Sequence, residues 1–431
     1  MPDMNLAIAL LLGSFAFLLL VKTPVSFALL ASSLLTSVYL KIPLMSVGVQ
    51  LVKGIHSFSL MAIPFFILMG EIMGQGGISD RLIKFANLFV GRMRGGLAQV
   101  NILASMFFGG ISGSAIADVS SIGAMLIPMM KDNGYDTDYS VDVTITSACQ
   151  GLIIPPSHNM VIYAVSAGGI SVGKLFLGGY VPGILLGVAL MILSYIIAKK
   201  RDYPRGPKVP FKEAVGIVRD AFLGIMTAVI IIGGVVGGVF TATESAAVAC
   251  LYAFIVTFFV YRQIPLRQFN SILMNSLKTM AMVLALLMSC NVFGWFLAYL
   301  RVPTLVTNAM LSISENKVVL LLLINVILLV LGCIMDMAPL IMICTPIFMP
   351  IVQRIGMDPV QFGVMMILNL AIGLCTPPVG AVLFVGCSIG KITIEKLTRS
   401  LLPFYFVMVI VLLLITFVPA ITLTLPNLVF H

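Results

Sequence analysis

Charged side chains are scarce in this 431-residue chain, where Asp, Glu, Lys and Arg make up 10% of the residues and hydrophobic types 60%. A soluble domain carries roughly a quarter charged residues, so a soluble fold is excluded. Long apolar stretches are present instead, and most can cross a hydrocarbon core about 30 Å thick at about 1.5 Å per residue. They cover residues 6–21, 25–40, 175–198, 221–240, 246–261, 318–331 and 401–418.

Strand-like alternation of polar and apolar residues is also missing. Inside a lipid bilayer the backbone must satisfy its own hydrogen bonds, which leaves helices or a closed barrel. Without alternation, helices are the expected choice. We therefore predict an all-α polytopic (multi-pass) protein of the bacterial or archaeal inner (cytoplasmic) membrane. Its first apolar stretch is expected to be a membrane helix rather than a cleaved signal peptide.

Residues that carry metal or cofactor chemistry are few. The three histidines lack metal-ligand spacing, so no transition-metal site is expected, and the seven cysteines lie in apolar segments without a Cys-x-x-Cys pair. No nucleotide-binding glycine loop, haem motif or flavin motif is present, and we expect neither an enzyme nor an organic cofactor. The net charge of +9 comes from basic residues between apolar spans, which argues against nucleic-acid binding.

The first half of the chain recurs in the second half at an offset of 222 positions. The matching residues are mostly glycine and proline, which set backbone shape. Each half is predicted to contain three helices, a helical hairpin, a broken helix and a last helix. The matches include Gly110 with Gly332, Gly151 with Gly373, and Pro155-Pro156 with Pro377-Pro378.

The basic residues predict how these halves are oriented. Segment 199–219 is rich in Lys and Arg and is therefore expected in the cytoplasm. If residues 97–130 and 319–352 form re-entrant hairpins, most of the 25 basic residues fall on that same side. Each half then crosses the membrane an odd number of times, so the second half is inverted. Inverted-topology repeats are typical of secondary transporters, and here they give one hairpin to each face.

Glycine and serine concentrate at the tip of the first hairpin, in residues 108–118 (FGGISGSAIAD). A non-helical tip at membrane depth is tolerated only where it is buried or lines a cavity. Its carbonyl groups and the hydroxyls of Ser112 and Ser114 are oxygen ligands suited to a hard cation. Close helix packing by small residues is the alternative interpretation.

The two Pro-Pro pairs predict a broken helix in each half, within residues 150–159 and 372–380. Proline removes a backbone donor, so we expect free carbonyl groups at Gly151, Ile154, Gly373 and Thr376. Transporters bind ions and anionic substrates at such half-helix ends near the bilayer midplane. A plain proline kink is the alternative, which the symmetric placement of the two pairs disfavours.

Several polar residues are candidate substrate contacts. Asp118 and Asp336 lie just past the hairpin turns, where an intramembrane charge suggests function and helix capping is an equally good explanation. Asn159 on the first broken helix has an amide that could bind a carboxylate or hydroxyl, and Ser157 lies beside it. Glu244, by contrast, fits a capping box with Thr241 and is expected to be structural.

Four motifs resemble the large membrane subunit of tripartite ATP-independent periplasmic (TRAP) transporters, and the resemblance covers essentially the whole chain. They are residues 62–70 (AIPFFILMG), 108–115 (FGGISGSA), 154–157 (IPPS) and 376–380 (TPPVG). The resemblance implies the M (DctM-type) permease of a Na⁺-driven elevator that imports an organic acid such as sialic acid, a C4-dicarboxylate or a uronate. It also implies two partners, a separate small Q (DctQ-type) membrane subunit and a periplasmic substrate-binding protein.

Matching the motifs residue by residue, the resemblance implies two Na⁺ sites. The first would use Gly110, Ser112, Ser114, Gly151, Ile154 and Pro156, and the second Gly332, Gly373, Thr376 and Val379. It also divides the chain into scaffold helices (1–75 and 220–300), an interfacial arm (76–96), transport segments (97–174 and 301–396), last helices (175–198 and 397–431) and a cytoplasmic linker (199–219).

Other classes of protein stay open at this point. A stand-alone Na⁺/anion symporter with the same inverted-hairpin plan is the main alternative. A channel is a further one. An intramembrane enzyme acting on lipid is disfavoured, because no paired nucleophile and base and no metal cluster is evident.

Overall fold

The computed structural model describes residues 3–207 and 209–430, without the side chain of Ile111. Over these residues the chain is helical, and the one β-bridge joins Arg94 to Arg205. Seven helical stretches are long and apolar enough to cross a membrane. The prediction of an all-α polytopic membrane protein is confirmed.

Helices of the first half begin near the amino terminus and end at the basic linker. A 3₁₀ turn at Phe58–Met61 leads into α4, and a π turn at Val119–Gly123 joins α7 to α8. The helices are α1 Met4–Leu20, α2 Val25–Tyr39, α3 Leu44–Lys53, α4 Ala62–Gln75, α5 Ile78–Val90, α6 Gly96–Ser112, α7 Ala115–Asp118, α8 Ala124–Asp132, α9 Thr137–Gly151, α10 His158–Ser166 and α11 Val172–Lys200.

Helices of the second half follow the same order from the hairpin onward. A π turn at Val256–Val260 extends α13. The helices are α12 Phe211–Val236, α13 Ala242–Ile255, α14 Phe269–Tyr299, α15 Val302–Ile313, α16 Lys317–Gly332, α17 Met337–Arg354, α18 Pro359–Leu374, α19 Ala381–Gly390, α20 Ile394–Phe417 and α21 Pro419–Val429.

The internal repeat is visible in these bounds. α9 and α18 begin at Thr137 and Pro359, and α11 and α20 begin at Val172 and Ile394, each pair 222 positions apart. α6 and α16 form the first arms of the two hairpins, while α7–α8 and α17 form the second arms. Both Pro-Pro peptide bonds are cis. The two halves therefore share one backbone plan, as the sequence alignment predicts.

A hydrogen bond at equivalent positions ties each broken helix to the long helix that follows it. The Tyr139 hydroxyl donates to the Ser194 carbonyl at 2.9 Å, and the Gln361 amide donates to the Thr416 carbonyl at 3.1 Å. The offset of 222 relates both donors and both acceptors. Different side chains thus make the same contact, so the repeat extends to helix packing.

The halves differ before the hairpins. The second half uses one long helix, α14, where the first half is broken into α3, a 3₁₀ turn and α4. At the break, a Cβ on Gly54 would lie 2.8 Å from Asn291 Cβ, so glycine lets α3 end against α14. The Asn291 amide donates to the Gln50 carbonyl at 2.7 Å. The expectation of three equivalent helices in each half is wrong here.

Apolar packing forms two clusters. The smaller one lies among α1, α2, α3 and α14 and includes Leu11, Leu29, Val47, Phe293 and Phe296. The larger one runs through both hairpins, both broken helices, α11 and α20. Residues of α17 pack against both clusters, so the second hairpin lies where they meet.

The capping box predicted at Glu244 is present. The Glu244 carboxylate accepts the Thr241 backbone N–H at 2.8 Å, and the Thr241 hydroxyl accepts the Glu244 N–H at 3.2 Å. Glu244 therefore has the structural role that the sequence predicts, at the start of α13.

Candidate functional site

The tip of the first hairpin is two residues long. α6 ends at Ser112, Gly113 follows with φ of 63°, and Ser114 caps α7 by accepting the Ala117 N–H at 3.3 Å. The left-handed backbone at Gly113 is a conformation that glycine adopts without a Cβ penalty. The non-helical tip predicted from the glycine and serine content is therefore confirmed.

Glycine lets the first hairpin pack so closely against the first broken helix that their backbone atoms are in contact. A Cβ on Gly109 would lie 2.4 Å from Gly151 Cα. One on Gly110 would lie 3.1 Å from the Ile154 carbonyl oxygen and 2.9 Å from that of Pro155. The carbonyls of the broken helix thus face the end of α6 directly.

Oxygen atoms converge where these elements meet. Within the described part of the chain, the carbonyls of Gly110 and Ile154 accept no hydrogen bond. The Ser112 hydroxyl lies 3.4 Å from the Ser114 backbone N–H and 3.5 Å from the Ser114 carbonyl. Unpaired carbonyls and hydroxyls are hard oxygen donors, the type that hard cations prefer.

The second hairpin repeats this contact. A Cβ on Gly373 would lie 2.5 Å from the carbonyl carbon of Gly332 and 2.7 Å from its Cα. The Val379 N–H donates to the Cys333 carbonyl at 3.1 Å, so the segment after the Pro-Pro pair is bonded to the hairpin turn. The Thr376 hydroxyl donates to the Ile372 carbonyl at 2.7 Å. Its lone pairs remain available to a cation.

The four predicted free carbonyls divide into two pairs. Those of Ile154 and Thr376 accept no hydrogen bond from any described residue, as predicted. Gly151 and Gly373 do not fit the prediction, because each carbonyl accepts a turn N–H, from Ile154 at 3.3 Å and from Thr376 at 3.0 Å. The chain turns once more after each helix before the cis-proline pair, and this turn supplies the donor.

The two hairpin carboxylates have different surroundings. Asp336 is exposed and caps α17 by accepting the Met337 N–H at 2.9 Å, as the capping interpretation predicts. Asp118 is 1% exposed, and neither of its carboxylate oxygens has a hydrogen-bond partner among the described residues. Ser114 is the cap there, so capping is the wrong interpretation for Asp118.

Asn159 and Ser157 lie at the start of α10, beside the first hairpin tip. The Asn159 amide lies 3.5 Å from the Gly113 carbonyl as a donor, and the residue is 4% exposed. The Ser157 hydroxyl is buried with no partner in the described residues. A Cβ on Gly113 would lie 2.4 Å from His158 Nδ1, so the tip rests directly on this segment. Pro156 belongs to the cis pair just before it.

Sequence reasoning missed a set of buried amides that join the hairpins to the broken helices. Asn101 on α6 donates to the Thr144 hydroxyl at 2.6 Å. In the other half, Asn369 on α18 donates to Asn325 Oδ1 at 2.8 Å. Asp142 on α9 was also missed, although it is 1% exposed. An acidic residue inside a predicted transport segment is the signal that could have identified it.

Ionic contacts fix the amino-terminal end of α9. Arg201 lies 2.8 Å from an Asp136 carboxylate oxygen and 3.3 Å from one of Asp138. The Tyr203 hydroxyl donates to Asp136 at 2.7 Å. This hydrogen bond and then the nearby Arg201 guanidinium lower the pKa of Asp136. The start of the basic linker is thus bonded to the first turn of α9.

Comparison with known proteins places these features in a family. The sequence profile of the tripartite ATP-independent periplasmic transporter DctM component matches residues 12–421. The chain is 43% identical over 379 residues to the sialic acid TRAP transporter large permease SiaM of Vibrio cholerae, covering 88% of each. It is 36% identical over 434 residues to the C4-dicarboxylate large permease DctM of Rhodobacter capsulatus, covering 97% of this chain and 98% of the relative.

A third relative carries a different acid. The isethionate TRAP permease DctMQ of Oleidesulfovibrio alaskensis is 41% identical over 413 residues, which cover 95% of this chain and 65% of that protein. Among solved structures, the Alcanivorax borkumensis YdaH transporter superposes with a TM-score of 0.63 at 14% identity. The superposition covers 86% of this chain and 88% of that one. At this identity the likeness shows a shared transporter fold and no more.

Proposed function

Because the chain belongs to the DctM family of TRAP transporter large permeases, we propose that it is the membrane permease of a Na⁺-driven, binding-protein-dependent uptake system for an organic acid. A DctM-family permease is a transporter subunit and not an enzyme. The observation that carries the proposal is the packing of two glycine hairpin ends against two Pro-Pro-broken helices. This packing leaves backbone oxygens unpaired at both places.

Na⁺ is the proposed coupling ion. At the first site, unpaired carbonyls of Gly110 and Ile154 lie beside the hydroxyls of Ser112 and Ser114, with Gly151 and Pro156 completing the backbone wall. At the second, Thr376 offers a carbonyl and a hydroxyl, and Gly332, Gly373 and Val379 shape the wall. A small hard cation satisfies such oxygens without requiring a carboxylate.

An organic acid is the proposed substrate. The names of the three relatives specify sialic acid, a C4-dicarboxylate and isethionate, which are all small organic anions. Asn159 and Ser157 at the start of α10, together with Asp118 and Asp336, are the proposed substrate-facing residues. The half-helix end at α10 presents backbone N–H groups, which favour a negatively charged group.

We propose an elevator mechanism in which the hairpins and broken helices move as one body against the scaffold. The polar links within this body support it, since Asn101–Thr144 and Asn325–Asn369 join hairpin arms to broken helices. The smaller apolar cluster around α14 is the proposed fixed part. The domain boundaries given above, with transport segments at 97–174 and 301–396, are part of the proposal.

The proposed partners are a small DctQ-type membrane subunit and a periplasmic substrate-binding protein, with the complex in the inner membrane. Reconstituted vesicles test the whole proposal. Uptake of a labelled organic acid should require an inward Na⁺ gradient and the binding protein added outside. Full uptake without a binding protein would favour a stand-alone symporter instead. Uptake that is indifferent to Na⁺ would refute the coupling ion.

A further inference from the structure

A cavity of about 330 Å³ lies on the predicted cytoplasmic side, away from both ion sites. Three elements enclose it: the arm helix α5, the base of the first hairpin, and a strap that we define as residues 203–207. Its wall is formed by Ile83, Lys84 and Asn87 of α5, Leu97 and Val100 of α6, and Tyr135 with the strap.

The strap is held in place by backbone bonds. The Gly95 N–H donates to the Pro204 carbonyl at 3.1 Å, and the Gly206 N–H donates to the Gly91 carbonyl at 3.1 Å. Arg94 forms an ion pair with Asp202 at 2.9 Å. These contacts attach the strap to the loop between α5 and α6, so the cavity is preformed.

The chemistry of the wall is mixed. Most of the wall is apolar, from Ile83, Leu97, Val100 and Met129. Two cations line it, Lys84 and Arg205, and neither has a carboxylate within 4.0 Å in the described part of the chain. Arg94, by contrast, is already paired. An apolar wall with two cations that form no ion pair among the described residues suits a ligand with both an anionic group and an apolar group.

The surroundings of the cavity are those of a membrane interface. α5 is amphipathic: its Leu82 and Ala86 are fully buried, while Phe89 is 64% exposed. Just beyond the helix, Met93 is 39% exposed next to the basic residues Arg92 and Arg94. Exposed apolar residues beside basic ones are the pattern of a helix lying in the headgroup region.

We propose that this cavity binds an anionic phospholipid of the cytoplasmic leaflet. The phosphodiester would lie between Lys84 and Arg205, and the start of one acyl chain would cover the apolar wall. The volume suits a headgroup and the first part of a chain, being at the small end of ligand pockets. A free inorganic anion is disfavoured, because it would leave the apolar side chains of the wall in contact with water. The cytoplasmic assignment rests on the distribution of basic residues.

Such a lipid would contact the arm and the hairpin base together, at the junction of the proposed interfacial arm and the first transport segment. Each basic residue near an anionic surface is worth about a fivefold preference, so two give about thirtyfold. We therefore expect phosphatidylglycerol to be preferred over phosphatidylcholine by a factor of that order.

A single tryptophan next to the cavity tests this directly. The chain has one tryptophan, Trp295, so Trp295→Phe combined with Tyr135→Trp moves the reporter to the cavity wall. The full-length protein is placed in vesicles containing brominated phosphatidylglycerol or brominated phosphatidylcholine, and fluorescence quenching is measured. We expect stronger quenching by the anionic lipid. Equal quenching by the two lipids would overturn the proposal.

Charge variants identify the site. Lys84→Gln with Arg205→Gln should abolish the preference, whereas Arg267→Gln with Lys278→Gln removes the same charge elsewhere on the predicted cytoplasmic side and should keep it. Loss of the preference in the control pair would also refute the site. Native mass spectrometry gives a second readout that needs no tryptophan reporter. It compares the wild-type chain with the Lys84→Gln, Arg205→Gln variant, and we expect only the wild-type chain to retain an anionic lipid.

Two further arms separate other occupants. Inorganic phosphate that removes the lipid preference would show a free-anion site and overturn the proposal. Quenching that is present in the chain alone but lost on adding the small subunit would show that a protein segment fills the cavity, which also overturns it. If the stronger quenching by the anionic lipid persists with phosphate and with the small subunit present, the result supports a bound phospholipid.

Discussion

Adding one methyl group at Gly373 should weaken Na⁺ binding at the second proposed site. The added Cβ would lie 2.5 Å from the Gly332 carbonyl carbon, 2.7 Å from its Cα and 2.8 Å from its oxygen. Ordinary contacts to Cβ are 3.4–4 Å, so the hairpin must move away by about 1 Å. All three obstructing atoms are backbone, so no side chain can rotate to relieve the clash.

Overpacking of this kind costs about 1–3 kcal/mol. If the cost falls on the closed, ion-bound arrangement, Gly373→Ala raises the Na⁺ concentration for half-maximal uptake by about 5- to 150-fold. The assay is uptake of labelled substrate into vesicles over a range of external Na⁺. Maximal uptake at saturating Na⁺ should recover at least in part, because the ion binding energy can close the site again.

Two alanine controls separate this effect from general damage. Gly294 lies inside α14 with nothing within 4 Å of its Cβ position, so Gly294→Ala should leave Na⁺ dependence unchanged. Gly386→Ala overpacks α19 against the Ile145 side chain at 2.5 Å, and none of the proposed Na⁺ ligands lies within 4 Å of the added Cβ. It should lower stability without shifting the Na⁺ requirement. Wild-type Na⁺ dependence in a folded Gly373→Ala protein would refute the reasoning.

Three other side-chain contacts lead to further predictions. Thr376→Val should raise the Na⁺ requirement while Thr376→Ser keeps it, and identical Na⁺ titrations of the two variants would remove the hydroxyl from the site. Asp136→Asn should lose at most about 1 kcal/mol at neutral pH, because its partly exposed ion pair is weak. Its lowered pKa means that the stabilisation is present above the usual Asp range and lost as pH falls, so thermal unfolding of the variant and wild type should converge in acid. Asn369→Leu leaves Asn325 Oδ1 without its buried donor and should cost about 1–3 kcal/mol, whereas an unchanged unfolding midpoint would show that water replaces the amide.

The backbone plan could be predicted from sequence because glycine and proline act locally. The left-handed turn at position 113 favours glycine, and a helix ends before each Pro-Pro pair. Their spacing, together with the distribution of basic residues, therefore predicted the hairpins, the broken helices and their relation by 222 positions. The break between α3 and α4 was missed, because it depends on how Gly54 meets Asn291, a contact distant in sequence.

The polar details of the site depend on tertiary contacts, and the sequence gives only part of them. Asp118 and Asp336 look alike as residues just past a turn, yet only Asp336 caps its helix, since Ser114 already fills that role in the first half. The carbonyls of Gly151 and Gly373 were predicted to be free, and an extra turn supplies each with a donor. Residue type and spacing do not determine individual hydrogen bonds of this kind.

The two proposed ion sites differ at the helix that supports each from behind. At the equivalent positions of α11 and α20, the first half has Gly183 and the second has Tyr405. A Cβ on Gly183 would lie 2.5 Å from the Ile154 side chain, and its carbonyl accepts the Gln150 amide at 3.1 Å. Tyr405 instead donates its hydroxyl to the Cys375 carbonyl. The first broken helix is therefore supported by close packing and the second by a phenol hydrogen bond, so one backbone plan can hold two sites of unequal ion affinity.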